Sequence, residues 1–252
     1  MVVIEHIKKI RLFEINKVLF QIPIGSKILE IGAGAGFQAK ALSDNGFEVV
    51  GIDLKTSSYR NEQVYPVINY DGKFIPFPED SFDVVFSSNV LEHIHNVEEF
   101  QKEIKRVLNK GGICIHILPT TTWRIWTILT HHLFVLKAII VAIFPSYFVE
   151  NSNMNSSINN ARKYNKIFLI RNALWPPRHG EKGNCLTELY YFSRVRWIAL
   201  FRRAGWRVNK VHANRLFYTG YQILNQRLNL KVRQRMSYVM GSSCLSYNLT
   251  LK

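Results

Sequence analysis

The chain has 252 residues and a formal net charge of +15, a length that suits one α/β domain with an insertion. With 47% hydrophobic and 20% charged residues, the composition excludes a disordered, collagen-like or disulfide-stapled protein. The three cysteines are far apart and form no CxxC pair, which argues against a zinc knuckle and predicts a reducing, cytoplasmic location.

Residues 1–26 are predicted to form an N-terminal amphipathic helix that leads into the first strand. Charged residues occur throughout this segment, without an uninterrupted apolar block before a cleavage site. We therefore do not expect a signal peptide.

Residues 27–120 alternate strands, turns and helices. The pattern predicts strands at 27–31, 47–53, 65–71, 81–90 and 113–119, and helices at 37–46 and 97–112. Such alternation is typical of a doubly wound, mostly parallel α/β sheet with helices on both faces.

Residues 121–180 interrupt this alternation with an apolar helical insertion after the fifth strand. Lys137 and Pro145 limit its longest apolar run, which is shorter than the ~18 to 20 residues needed to span a bilayer. We predict helices that form a lid over the acceptor pocket, a dimer contact or a membrane-interface element. The Asn/Ser-rich segment 151–160 is predicted to be a surface loop.

Residues 181–252 are predicted to complete the sheet, so that 1–252 form a single domain. A helix is expected to end near Gly205, followed by a strand and a closing strand at the C-terminus. Residues 151–252 hold 18 Lys and Arg but only two acidic residues. This basic region is expected to attract phosphate groups, for example at an anionic membrane surface.

The stretch KILEIGAGAG places three alternating glycines directly after the first strand. Glycines between a strand and a helix allow a ligand to approach the backbone closely. The spacing does not fit a dinucleotide fingerprint because position 37 is Phe, and no Gly-Lys-Ser/Thr follows to make a Walker loop. The acid at position 30 disfavours a pyrophosphate and suits a ligand that carries a cation.

Four segments in order, ILEIGAGAG, VVGIDLK, NYDGKFIPFPEDSFDVVFSSNVLEHI and EIKRVLNKGGICIHILPT, carry a family resemblance. Over about residues 27–120 the chain resembles the class I S-adenosylmethionine-dependent methyltransferases, in particular the small-molecule, methyltransferase type 11-like branch. A second segment, LTELYYFSRVRWIALFRRAGW, shows a weaker resemblance. It is similar to segments of bacterial methyltransferases thought to act on surface glycans or other lipid-linked metabolites. The resemblance implies a Rossmann-like methyltransferase fold and S-adenosylmethionine as the cofactor.

The resemblance also implies which residues bind this cofactor. Glu30 is expected near the cationic amino-acid end, Asp53 at the ribose diol and Asp71 near the adenine amino group. As alternatives, Glu30 serves a salt bridge or helix dipole, and the two aspartates cap strand ends. The complete predicted cofactor set is Glu30, Gly32, Gly34, Gly36, Asp53, Leu54, Asp71, Gly72, Asn89 and Val90.

Methyl transfer is an in-line displacement that depends on alignment, and a hydroxyl acceptor also favours a general base. The candidates are His179, in a loop that we expect to cap the acceptor pocket, and His93, for which the family instead implies packing or hydrogen bonding beside the cofactor. His116 is expected to be a satisfied core residue. A metal site at Glu92, His93 and His95 is rejected because neighbours on one helix rarely converge, so no metal is predicted.

The acceptor is predicted to be a small molecule. The fourth strand ends in SSNV, where nucleobase N-methyltransferases carry an Asp/Asn-Pro-Pro-aromatic motif, so nucleic acid is not the expected partner. We predict O-methylation of a sugar or other hydroxyl on a membrane-associated, lipid-linked glycan, by a cytoplasmic enzyme peripheral to the membrane. The alternatives are a soluble metabolite or RNA as acceptor, or a non-catalytic partner that binds the cofactor. The sequence leaves the oligomeric state open.

Overall fold

The computed structural model describes residues 2–56, 62–143, 175–220 and 228–252. The predicted loop at 151–160 and the later part of the insertion lie outside these residues.

Within these described ranges, seven strands form one sheet in the order β3-β2-β1-β4-β5-β7-β6. Strands β1 to β5 are parallel, whereas β7 pairs antiparallel with both β5 and β6. The strands are β1 (Lys27–Ile31), β2 (Glu48–Leu54), β3 (Val67–Tyr70), β4 (Phe82–Ser88), β5 (Leu108–Pro119), β6 (Trp206–Ala213) and β7 (Cys244–Leu251). The doubly wound, mostly parallel sheet predicted from the sequence is confirmed.

Helices cover both faces of this sheet. They are α1 (Val2–Asn16), α2 (Phe37–Asp44), α3 (Val97–Val107), α4 (Thr121–Ile143), α5 (Glu188–Tyr191), α6 (Arg194–Arg203) and α7 (Leu230–Met240). One core cluster joins α3 and α6 to the sheet through residues such as Phe100, Ile104 and Trp197. A second cluster joins α1 and α2 to the opposite face through Ile15, Ala39 and others. The hydrophobic stripes of the helices are buried on the two sides of the β1–β4–β5 centre.

The predicted strand and helix positions in residues 27–119 are confirmed, but one boundary is wrong. The helix expected to end at two glycines stops at Val107, and Leu108 is already extended and paired with Phe82. Gly111 and Gly112 therefore lie inside β5, next to an irregularity in its pairing with β4. Gain of sheet pairing and burial of Leu108 outweigh the local helical propensity of this segment.

The C-terminal helix pattern is also divided differently from the prediction. The segment before Gly205 forms two helices, because Ser193 is extended and its side chain accepts a hydrogen bond from the Arg196 N–H to begin α6. Gly205 adopts φ +81° after α6, as expected for a helix-ending glycine. The sequence reading missed α7, whose capping residue Asn229 accepts from the Val232 N–H.

His116 lies in the core as expected. Its Nδ1 is 2.7 Å from the Ser87 Oγ and its Nε2 is 2.9 Å from the Cys114 Sγ. Burial lowers the pKa of His116 to about 3, which keeps the ring neutral. The residue has a structural role and does not reach the cavity described below.

Candidate active site

The glycine turn, residues 32–36, connects β1 to α2 at the carboxyl edge of the sheet. Gly32, Gly34 and Gly36 all have positive φ values, of 72°, 56° and 80°, which side chains with a Cβ rarely adopt. A Cβ on Gly32 would lie 2.3 Å from the Val90 Cγ2. Glycine at position 32 is therefore required both by the backbone and by the close approach of the segment that follows β4.

Asp53, near the end of β2, fixes the glycine turn from the side. Its Oδ2 accepts a hydrogen bond from the Gly34 N–H at 2.8 Å, and its Oδ1 accepts one from the Leu54 N–H at 2.7 Å. Parallel pairing of β1 with β2 brings these two strand ends together. Each carboxylate oxygen keeps further acceptor capacity for a ligand hydroxyl.

Asp71 follows β3 at the same edge and is exposed. Its Oδ1 accepts hydrogen bonds from the Lys73 and Phe74 N–H groups, both at 2.8 Å. These bonds lower the pKa of Asp71 below its usual range, so the group is a carboxylate at neutral pH. Gly72 is adjacent, with φ +80°.

Glu30 lies behind the glycine turn, and it does not line the cavity that the turn borders. Its carboxyl is 2% exposed, and burial, opposed by a backbone hydrogen bond from Ala39, raises its pKa to about 8. Its Oε2 has no hydrogen-bond partner among the described residues. Contact between Glu30 and a ligand cation stays a prediction.

One large cavity, of about 800 Å³, opens at this edge of the sheet. Such a volume is within the usual range of small-molecule sites, about 300 to 1,000 Å³. Of the predicted cofactor residues, all but Glu30 and Gly36 line it, namely Gly32, Gly34, Asp53, Leu54, Asp71, Gly72, Asn89 and Val90. The sheet therefore brings eight of the ten predicted residues to one cavity.

Asn89 marks the end of β4 on this wall. It has φ +55°, and its N–H donates to the Ile117 carbonyl at 2.8 Å. The left-handed backbone is uncommon for a non-glycine residue. It turns the chain from the sheet into the short 3-10 helix Leu91–His93, which carries the first candidate histidine.

His93 and His179 meet on the same cavity wall. Their ring centroids are 4.9 Å apart in an edge-to-face arrangement, and the His179 ring also packs at 4.6 Å from that of Trp123. Desolvation by the surrounding protein lowers the pKa of both imidazoles, and the positive charge of Arg124 and Arg11 adds to the lowering at His179. Both rings are therefore neutral at pH 7.

The histidine loop, residues 178–181, is clamped in place by distant groups. The Glu188 Oε1 accepts hydrogen bonds from the His179 and Gly180 N–H groups, both at 2.6 Å. The Glu181 N–H donates to the Glu92 carbonyl at 2.8 Å. These bonds hold the loop against the 3-10 helix that carries His93.

A buried ion pair supports the clamp. The Arg124 Nε, on α4, lies 2.8 Å from the Glu188 Oε2, and both side chains are almost completely buried. The Arg124 Nη2 also donates to the Pro177 carbonyl at 2.8 Å. The first part of the predicted lid therefore positions the histidine loop.

Comparison with known proteins agrees with this geometry. Residues 29–116 match the family described as "Methyltransferase domain". An uncharacterized methyltransferase of Mycobacterium leprae (strain TN) is 30% identical over 107 residues, which are 40% of this chain and 39% of that protein. A counterpart in Mycobacterium tuberculosis (strain ATCC 25618 / H37Rv) is also 30% identical over 107 residues, with 40% and 41% covered.

Residues 29–116 are a class I S-adenosylmethionine-dependent methyltransferase domain. The match covers about two fifths of the length of these curated relatives. It includes the glycine turn and the strand ends that carry Asp53, Asp71 and Asn89, but not the histidine loop.

Solved structures show that the fold extends beyond the matched domain. A SAM-dependent methyltransferase from Aquifex aeolicus aligns with a TM-score of 0.53 and 16% identity over 97% of this chain and 93% of that one. The putative methyltransferase of Haloferax volcanii, solved with the Trm112 methyltransferase activator, aligns with a TM-score of 0.56 and 14% identity over 98% and 92%. These similarities concern the fold alone.

The methyltransferase domain has the features that S-adenosylmethionine requires. Gly32 and Gly34 line the cavity with backbone alone, and Asp53 and Asp71 offer acceptor oxygens at neighbouring strand ends. When bound, the cofactor supplies an electrophilic methyl group on a sulfonium.

The sequence pattern did not indicate that Arg11, Arg124 and Glu188 belong to the site. Arg11 of α1 lines the cavity and is paired with Glu14 at 2.6 Å, so the N-terminal helix forms part of the wall. Arg124 and Glu188 form the clamp described above. Their only sequence signal is a lone charge within a mainly apolar segment, which does not identify its partner.

Proposed function

We propose that this protein transfers the methyl group of S-adenosylmethionine to a hydroxyl of a sugar or other small acceptor on a membrane-associated, lipid-linked substrate. One observation carries the proposal. The cavity lined by the glycine turn and Asp53 is also lined by two neutral histidines, His93 and His179. Cofactor residues and proton acceptors thus share one cavity.

The two histidines suit a hydroxyl acceptor. An alcohol oxygen is a weak nucleophile until a base removes its proton, and a neutral imidazole within reach can accept that proton. His179 is the better positioned base because its loop is held by hydrogen bonds to the Glu188 carboxylate and to the Glu92 carbonyl. Burial lowers its pKa to about 3, so it would accept the proton only as bond formation to the methyl group makes the hydroxyl strongly acidic. The rest of the rate is expected to come from alignment of the acceptor with the methyl group.

The surface around α4 supports a membrane-associated substrate. Ile125, Leu129, Leu133 and Leu136 follow helical spacing and are each 42% to 59% exposed, so they form an unpartnered apolar stripe in the described structure. The C-terminal part of the chain adds a strong excess of positive charge. An apolar stripe in a chain with a strongly basic C-terminal part favours binding to an anionic lipid surface. In the described part of the chain, no helix meets the length and hydropathy needed to cross a bilayer.

Labelling with methyl-labelled S-adenosylmethionine tests the proposal. The purified protein is incubated with separated lipid, soluble-metabolite and RNA fractions of bacterial cells. We expect label in the lipid fraction, released by acid hydrolysis as a methylated sugar, and little label with His179→Asn. Label in RNA or in soluble metabolites would contradict the proposed acceptor. Binding of S-adenosylhomocysteine without labelling of any fraction would favour a non-catalytic partner.

A double variant and its control test whether the acceptor is reached at a membrane surface. Leu129→Glu/Leu133→Glu places charges on the α4 stripe and is expected to abolish labelling of acceptor in anionic vesicles while S-adenosylhomocysteine still binds. Val195→Glu changes a residue of α6 that is 75% exposed and serves as the matched control. Equal labelling by both variants would exclude the α4 stripe as the membrane contact.

A further inference from the structure

The histidine loop brings together three metal-ligating side chains that the sequence does not group. Glu92, His93 and His179 each offer one ligand atom, and these atoms lie within 4.8 Å of one another. The Glu92 Oε1 is 3.9 Å from the His93 Nε2. Ligand atoms about 2.1 Å from a tetrahedral zinc ion lie about 3.4 Å apart. The three side chains would therefore have to approach one another by up to about 1.4 Å to hold the ion.

Glu92 is the observation that points to a ligand. Glu92 is 6% exposed as a residue, and its side chain is fully buried. Neither of its carboxylate oxygens has a hydrogen-bond partner among the described residues. Buried polar atoms without partners are costly and rare in native proteins. A cation between Glu92 and the two imidazoles would satisfy this carboxylate.

Two guanidinium groups near this position disfavour a further positive charge at His179, and each is offset by a buried carboxylate. Arg11 is paired with Glu14 at 2.6 Å, and Arg124 with Glu188 at 2.8 Å. Each nearby guanidinium therefore already has its own carboxylate. His93 and His179 also line the cavity, so a bound ion is accessible to a water molecule or an acceptor oxygen as a further ligand.

The geometry points to a divalent transition-metal site formed by Glu92, His93 and His179. Two imidazoles and one carboxylate, with an open position toward a cavity, match the ligand set of catalytic zinc sites and suit related first-row metals. This site differs from the set rejected on sequence grounds because His179 takes the place of His95. The His95 ring instead faces Glu181, with its Nδ1 3.5 Å from the Glu181 Oε1. Metal binding does not depend on which acceptor the protein methylates, but an imidazole that holds the ion is not free to accept a proton, so metal binding and proton transfer by His179 are alternative states of the same side chain.

Zinc titration of the full chain tests this site. The protein is stripped with a chelator, dialysed and titrated with Zn²⁺ by calorimetry, without cofactor. We expect one Zn²⁺ per chain, and at least about tenfold weaker binding for Glu92→Gln and for His179→Asn. His95→Asn removes a histidine close to Glu92 in the chain and is expected to leave the affinity unchanged. Visible absorption of the Co²⁺-loaded protein, lost in the first two variants, provides a second measurement.

Several results would overturn the site. These are no saturable binding, binding that Glu92→Gln and His179→Asn leave unchanged, or binding that depends on His95. Thermal unfolding of each variant identifies loss of the fold, and the isosteric Glu92→Gln keeps the assignment testable if His179→Asn unfolds. A protein that binds S-adenosylhomocysteine but not Zn²⁺ overturns the metal site alone. A protein that binds Zn²⁺ but labels no acceptor in either the metal-bound or the metal-stripped form overturns the proposed function alone.

Discussion

The glycine turn and the histidine loop line the same cavity but are held in different ways. The turn is tied to Asp53 on the neighbouring parallel strand and to its own backbone through the Gly36 N–H and the Ala33 carbonyl. The histidine loop depends on Glu188 of α5 and on the backbone of Glu92. Sheet register therefore fixes one side of the cavity, and a buried charge on a separate segment fixes the other.

This difference teaches where each side of the site is vulnerable. Strand ends in a parallel sheet meet at one edge whatever the surface residues are. A loop held by one buried carboxylate loses its position when that carboxylate loses its partner, since an unpaired buried charge is strongly destabilising. We therefore expect mutations at the histidine loop to lower the free energy of unfolding, and mutations at the glycine turn to lower ligand affinity.

The largest expected effect is on the support of the histidine loop. Arg124→Met leaves Glu188 buried without its cation, and we expect the free energy of unfolding to fall by about 3 to 5 kcal/mol. Urea unfolding measures this change. Arg203→Met is the control, because it removes an exposed pair with Glu98 at 3.1 Å and should cost about 0 to 1 kcal/mol. Equal losses in the two variants would show that the clamp has no special role.

The second prediction concerns the glycine turn, where we expect a smaller free-energy change, seen in ligand affinity and not in stability. Asp53→Asn replaces one oxygen that accepts a backbone N–H by an NH₂ group, at the Gly34 or the Leu54 contact. We expect binding of S-adenosylhomocysteine to weaken by about 1.5 to 3 kcal/mol, as for hydrogen bonds to charged groups. Calorimetry measures the affinity, and Asp44→Asn, which changes an exposed pair on α2, is the control. Wild-type affinity in Asp53→Asn would remove this residue from the site.

The smallest expected effect concerns Asp71 at acid pH. Its folded-state pKa is lowered by the Lys73 and Phe74 N–H groups, so its contribution to stability is present above the unfolded pKa of about 3.8 and is lost as pH falls through the folded value. We expect wild type to be slightly more stable than Asp71→Asn at pH 6. The difference should shrink below about pH 4, as measured by thermal unfolding across this range. A constant difference at all pH values would show that the carboxylate charge is not involved.

The strand ends were predictable because their signals are local. Alternating apolar runs define β1, β2 and β4, and the glycines after β1 have the positive φ values that their residue type permits. Boundaries decided by pairing were not predictable in the same way. Leu108 joins the sheet instead of continuing α3, and the α7 segment carries too weak an apolar pattern to be identified.

By itself, the sequence determined the fold class, the methyltransferase domain and the acids at the strand ends, because sheet register converts position in the chain into position at the edge. Only the tertiary structure determines which side chains lie next to His179. The sequence places it far from Glu92 and His93, and only the clamp by Glu188 and Arg124 brings the three together. Long-range contacts of this kind depend on packing between segments, which leaves no periodic signal in either segment.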